Sequence, residues 1–137
     1  MGEHVFNQKC GMRFDGRVSS KAGIGYAAGD GSTVTQITNR ATGVTINALT
    51  GAITTDATSL AAEASAVFVV TNNKVAIGDV VVVAIRSGMV ALNTRVTVTA
   101  VAAGSFSLTV VNGNVAAGTA ETGAIIINFA VIKGSST

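Results

Sequence analysis

The chain has 137 residues and a mass of 13.6 kDa, room for one well-buried core and not for two folded domains. Nine basic and seven acidic residues leave a formal charge of +2 and charged residues at 12%, about half the usual share, so the clustered basic footprint of a nucleic-acid binder is missing. One Cys, one His and no Trp or Pro exclude an internal disulfide framework and leave little for a metal cage or a proton-transfer site, which argues against most enzymes.

Val and Ile together supply 30 residues and Ala 22, against four Leu, an apolar content that is β-branched and not helix-forming. Residues 1–32 carry seven of the sixteen charges and show no sustained period of 2 or 3.6. The N-terminus lacks the basic and apolar regions of a signal peptide, and no apolar run approaches the ~18 residues of a membrane span. Synthesis in the cytoplasm without membrane insertion is the expectation. The segment 1–32 reads as an extended N-terminal arm, able to reach on the order of 100 Å, whose apolar residues Val5, Phe6, Met12, Phe14, Ile24 and Tyr26 have no evident place in a local core. Its last stretch, Gly29-Asp30-Gly31-Ser32, reads as a flexible run.

From Thr33 to the C-terminus short β-rich stretches alternate with small polar residues and form a second unit, 33–137. Eight strands are expected, over 33–39, 43–48, 52–55, 65–72, 79–87, 94–102, 105–112 and 124–133. The sixth places Val96, Val98 and Ala100 on one face and Arg95, Thr97 and Thr99 on the other; after Ala103-Gly104 the seventh alternates Phe106, Leu108 and Val110 with Ser105, Ser107 and Thr109. The pair predicts a tight hairpin with matched buried faces. Val80–Val83 and Ile125–Ile127 are apolar at every position, as in strands covered on both sides or pressed against another subunit. Residues 58–64 contain helix formers but are too few for a stable helix, so a turn or loop is expected there. Short strands at roughly ten-residue spacing describe an all-β fold, an antiparallel, jelly-roll-like β-sandwich with the arm attached.

No catalytic, cofactor or metal residue is expected. His4 stands near a chain terminus, where a general base is hard to hold within about 3 Å of its target. Cys10 has Lys9 and Arg13 close in sequence but reads as a small apolar contact. Asp56 and Glu63 lack the aromatic platform of a carbohydrate site and read as solvated loop charges. Gly23-Ile24-Gly25-Tyr26-Ala27-Ala28-Gly29 misses the dinucleotide spacing by one residue and has no strand-then-helix setting. An arm on a β body is instead the design of a protein that binds other protein.

The strings Thr42-Gly43-Val44-Thr45-Ile46-Asn47, Gly51-Ala52-Ile53-Thr54, Leu60-Ala61-Ala62-Glu63-Ala64, Phe68-Val69-Val70-Thr71-Asn72, the stretch from Val98 to Phe106 and Ile127-Asn128-Phe129-Ala130-Val131-Ile132-Lys133 span about residues 33 to 134. In order and spacing this part of the chain resembles the capsid cement, or decoration, proteins of tailed bacteriophages. The resemblance implies a jelly-roll-like β-sandwich that assembles as a small symmetric oligomer on the outer surface of a phage head. It also implies two partners, the major capsid protein and the chain itself, as a homotrimer first and a dimer second, with no nucleic acid and no membrane. Within the arm, Phe6, Met12, Phe14 and Tyr26 are the expected capsid anchors and Arg13 and Arg17 the contacts to shell carboxylates, because aromatic residues and Arg dominate interface energetics. The alternative is a tail-fibre or spike-associated β-module involved in host attachment.

Overall fold

The computed structural model describes residues 14–135. Eight strands and no helix are found among them: β1 (Gly31–Thr35), β2 (Val44–Thr45), β3 (Thr50–Thr54), β4 (Ser65–Thr71), β5 (Val80–Ser87), β6 (Thr94–Ala102), β7 (Ser105–Asn112) and β8 (Ile126–Ile132). They form two four-stranded sheets, the first in the order β1-β3-β8-β5 and the second in the order β2-β4-β7-β6. Each expected strand is present, although β1 begins at Gly31, two residues inside the segment read as arm.

The pairing corrects an expectation. Both sheets are mixed, because β1 runs parallel to β3 and β2 runs parallel to β4. Parallel neighbours need a crossover, and here each crossover is a strand of the opposite sheet: the chain goes from β1 to β2 in the second sheet, back to β3 in the first, and over again to β4. The remaining neighbours, β3–β8, β8–β5, β4–β7 and β7–β6, are antiparallel. The purely antiparallel, jelly-roll arrangement is therefore not found, since its Greek keys consist of antiparallel strands.

One hydrophobic cluster takes residues from both sheets, among them Ile53, Ile127 and Val131 of the first and Phe68, Val70, Leu108 and Val110 of the second. Phe106 of β7 and Phe129 of β8 meet with ring centroids 5.5 Å apart and planes inclined at 48°, an aromatic contact between the sheets. Strict alternation puts these side chains inside: β7 buries Phe106, Leu108 and Val110 while its Ser and Thr residues remain half-exposed.

The β6–β7 hairpin forms as the alternation requires, with Gly104 at φ 80° in its two-residue loop. A bulge between Val98 and Ala100 then shifts the phase of β6. Val96 and Val98 pack against the core as expected, but Ala100 turns out to solvent and Val101 packs inward opposite Phe106. Residues 58–64 contain no helix; Leu60 makes an isolated antiparallel bridge to Glu121, and Glu63 sits in a left-handed turn at φ 64°. Close backbone approach shapes the first sheet as well. Gly88, at φ 87°, lies against the carbonyl of Ala124, and any side chain there would collide with that backbone.

Candidate interaction surface

Residues 14–30 lead into β1 without any regular strand, and every one of them is exposed. Two turns shape the leader. Gly23 N–H donates to Ser20 O at 3.3 Å with Gly23 at φ 92°, and Asp30 N–H donates to Ala27 O at 3.2 Å while the Asp30 carboxylate accepts from Ala27 N–H at 3.0 Å. Between these turns the leader touches the body. The Tyr26 hydroxyl donates to the carbonyl of Val131 in β8, and Ile24, Gly25 and Tyr26 form with Thr50, Ala130 and Ile132 a groove of ≈ 670 Å³.

That groove opens onto the outer face of the first sheet. In register, Val80 stands opposite Ile132, Val82 opposite Ala130 and Ala84 opposite Asn128. The inward members of the same strands, Val81, Phe129 and Val131, are buried in the core. The outward members are not covered: Val80 is 55% exposed, Val82 49% and Ile132 57%. A half-buried sheet ordinarily turns polar side chains to water at these positions. The outer face of the second sheet comes nearer to that pattern, with exposed Val67 and Val69 set among Ser65, Thr71, Thr97 and Thr99.

A buried polar network holds one end of the body. The Glu121 carboxylate, fully buried, accepts from Gly123 N–H at 2.7 Å, Thr94 Oγ1 at 2.7 Å, Ala91 N–H at 2.9 Å and Val90 N–H at 3.1 Å. Burial pushes this carboxyl up, and the donors together outweigh it, led by Thr94, so that it lies below the ordinary value. Nearby, the buried Arg40 guanidinium donates to Gly123 O at 2.8 Å, Thr55 Oγ1 at 3.1 Å, Glu121 O at 3.2 Å and the carbonyl of Thr58. Gln36 donates to Thr42 O at 2.8 Å and accepts from Asp56 N–H at 3.0 Å. Among the described residues no buried side-chain polar atom lacks a partner. The network therefore fixes loops, and the loop it fixes most directly, residues 88–93, exposes Met89, Val90 and Leu92, while Asn93 at its end donates to Asn114 Oδ1 at 2.8 Å.

At the edge of β5 the Asp79 carboxylate forms an ion pair with Lys133 and accepts from Ala76 N–H at 2.8 Å and Gly134 N–H at 3.0 Å. The Lys133 contact leads in holding its pKa down, to about 2 against an ordinary 3.8. A carboxyl depressed in the folded state stabilises the fold above its unfolded pKa, and that contribution disappears as pH falls through the folded value. Glu121 acts in the same direction. The melting temperature is thus expected to stay level down to about pH 5 and to fall between about pH 4 and pH 2, with a shallower fall in Asp79→Asn. A melting temperature unchanged at pH 2 would contradict the assignment.

Of the residues expected to contact a partner, Phe6, Met12 and Arg13 lie outside the described residues, as do His4 and Cys10. Phe14 and Arg17 are exposed on the leader. Tyr26 is partly exposed, but its hydroxyl is bound to the chain's own β8, so it links leader to body. Asp56 accepts from Thr58 N–H at 2.7 Å and from the Thr58 hydroxyl, and Glu63 is an exposed turn residue. Among the described residues no three potential metal ligands of the His, Cys, Asp or Glu types come together, and no helix is long and apolar enough to cross a membrane. Sequence reasoning missed Glu121 and Arg40, and it missed the apolar loop, whose signal was Met89-Val90 and Leu92 between Gly88 and Asn93 with no strand to enter. No protein-family model, curated protein or solved structure matches the chain.

Proposed function

We propose that this chain is a non-enzymatic structural virion protein that binds the outside of a phage head and cements neighbouring major capsid proteins. The observation that carries the reading is the juxtaposition of an exposed leader with an uncovered apolar sheet face, which gives one molecule two adhesive surfaces. The stacked pair of four-stranded sheets is read as a β-sandwich, a rigid carrier for both surfaces. The strand strings that resemble decoration proteins supply the identity of the shell as partner.

The physical demand on such a protein is area and multiplicity. If one leader buries on the order of 1,000 Å², the gross gain at ~25 cal/mol per Å² is large, but ordering the leader and fixing the body in place offset much of it. Copies linked to one another raise the effective concentration of each further contact, so several weak contacts hold where one would not. Labelling of intact virions with an antibody against this chain tests the reading: label over the whole head surface is expected, and label confined to fibres or spikes would assign the chain to host attachment instead.

A further inference from the structure

We propose that Asn112 is a gated deamidation site: the closed loop end of the body keeps its side-chain amide from reacting, and an opening that frees it leads to a covalent change after which that end no longer closes. The inference is independent of the virion reading. It starts from the sequence, where Asn112-Gly113 is the one Asn-Gly pair. In a free chain the Gly113 nitrogen attacks Asn112 Cγ, with no Cβ on the glycine to hinder the approach. A bond forms between Gly113 N and Cγ, the Cγ–Nδ2 bond breaks, the Gly113 N–H proton passes to solvent, and ammonia leaves. Water then opens the resulting succinimide at either carbonyl and yields aspartate or isoaspartate at position 112.

The fold holds both reacting groups. Asn112 ends β7 and is fully buried. Its Nδ2 donates to Leu60 O and Thr119 O, each at 3.0 Å, and its Oδ1 accepts from Asn114 N–H at 3.1 Å, so the amide turns only if three hydrogen bonds break. The attacking nitrogen is engaged as well, because Gly113 N–H donates to Asn93 O at 3.1 Å. The glycine is itself demanded by the packing: a Cβ at position 113 would stand 2.7 Å from Arg95 Nη1 and 2.9 Å from Asn93 O. The pair that reacts when free is therefore the pair the closed end requires.

Asn112 also joins the loops of this end to one another. Leu60 O accepts from Glu121 N–H at 2.9 Å in addition to Asn112, so the side chain bolts the Leu60–Glu121 bridge to the end of β7. Thr119 O is shared in the same way with Asn114 Nδ2 at 3.0 Å. An aspartate at position 112 has no N–H to give and sets a buried carboxylate against both carbonyl oxygens. An isoaspartate adds a methylene to the backbone and breaks the register of Asn112 with Thr94. Either product keeps the end from re-forming.

Peptide mapping of the whole chain after incubation at neutral pH, folded or in guanidinium chloride, tests the gate. Conversion at position 112 is expected to be at least about tenfold slower in the folded chain, since reaction there waits on a local opening. Equal rates would overturn the inference. Hydrogen exchange after return to native conditions tests the one-way step. Chain denatured briefly and still unconverted is expected to regain protection at the Leu60, Glu63, Gly113 and Glu121 amides, all hydrogen-bonded in the closed end. Converted chain is expected to leave these amides unprotected, whether or not its remaining strands refold, and their full recovery would overturn it.

Discussion

Replacing Glu121 with alanine is expected to cost about 3–5 kcal/mol of folding stability, the range for removing one member of a buried charged network. For a body of this size that corresponds to a fall in melting temperature of roughly 10–20 °C. The reason lies in what the carboxylate satisfies. Gly123, Ala91 and Val90 present backbone N–H groups and Thr94 its hydroxyl to one fully buried side chain, and alanine removes the acceptor of all four, the donors of Ala91 and Thr94 being buried and those of Gly123 and Val90 part-buried. Glu121→Gln separates the contributions. It keeps one acceptor oxygen but turns an amide N–H₂ toward existing donors, so about 1–3 kcal/mol is expected to be lost. Thermal unfolding of the two variants measures the difference, and a melting temperature within about 2 °C of the parent for Glu121→Ala would show that the network is dispensable. Because Val90 and Ala91 are held by this carboxylate, faster amide exchange across residues 88–93 is expected in both variants.

Removal of residues 1–30 is expected to leave the β body folded and to reduce its occupancy on empty heads by at least tenfold, the equivalent of about 1.4 kcal/mol per binding unit. The cut falls immediately before β1, so no strand among the described residues is lost. What the body loses includes the Tyr26 hydrogen bond to Val131 and the packing of Ile24 at the groove, together about 1–2 kcal/mol. That is a small part of a typical folding free energy. What the interface loses is larger, because Phe14 and Arg17 on the exposed leader, with Phe6, Met12 and Arg13 before them, are the aromatic and Arg residues proposed to reach the shell. Co-sedimentation of the truncated chain with heads reads the effect, and undiminished occupancy would remove the leader from the account.

Much of this fold was legible in the sequence, for a reason that also marks the limit. A period of two reports which face a residue occupies, and Phe106, Leu108 and Val110 had only to alternate with Ser and Thr for β7 to be placed and its hairpin with β6 drawn. The same signal is blind to direction and to neighbour. Nothing in Gly31–Thr35 or Thr50–Thr54 announces that they run parallel, since their relation is set by β2 crossing the opposite sheet between them. The bulge in β6 escaped for a related reason: Thr97 and Thr99 continue the polar alternation, and the phase changes only where Ala100 and Val101 exchange sides.

The surface was partly legible. Four consecutive valines read as a strand covered on both sides or pressed against another subunit, and the structure buries Val81 while leaving Val80 and Val82 uncovered. Glu121 was not legible, because a lone acid in Thr119-Ala120-Glu121-Thr122-Gly123 has the composition of an exposed loop. Its burial follows from donors about 30 positions away, and pairing at that separation leaves no periodicity to detect. Arg40 likewise draws its acceptors from Thr55, Thr58, Glu121 and Gly123, brought together only once the two sheets have closed.

The proposed adhesion to a capsid without chemical turnover is tested most directly by a cryo-electron microscopy reconstruction of heads incubated with the whole 137-residue chain. Added density is expected on the outer shell, a β body at sites between capsomers with its leader laid along the capsid surface. Bare heads, or density confined to the tail, would contradict it.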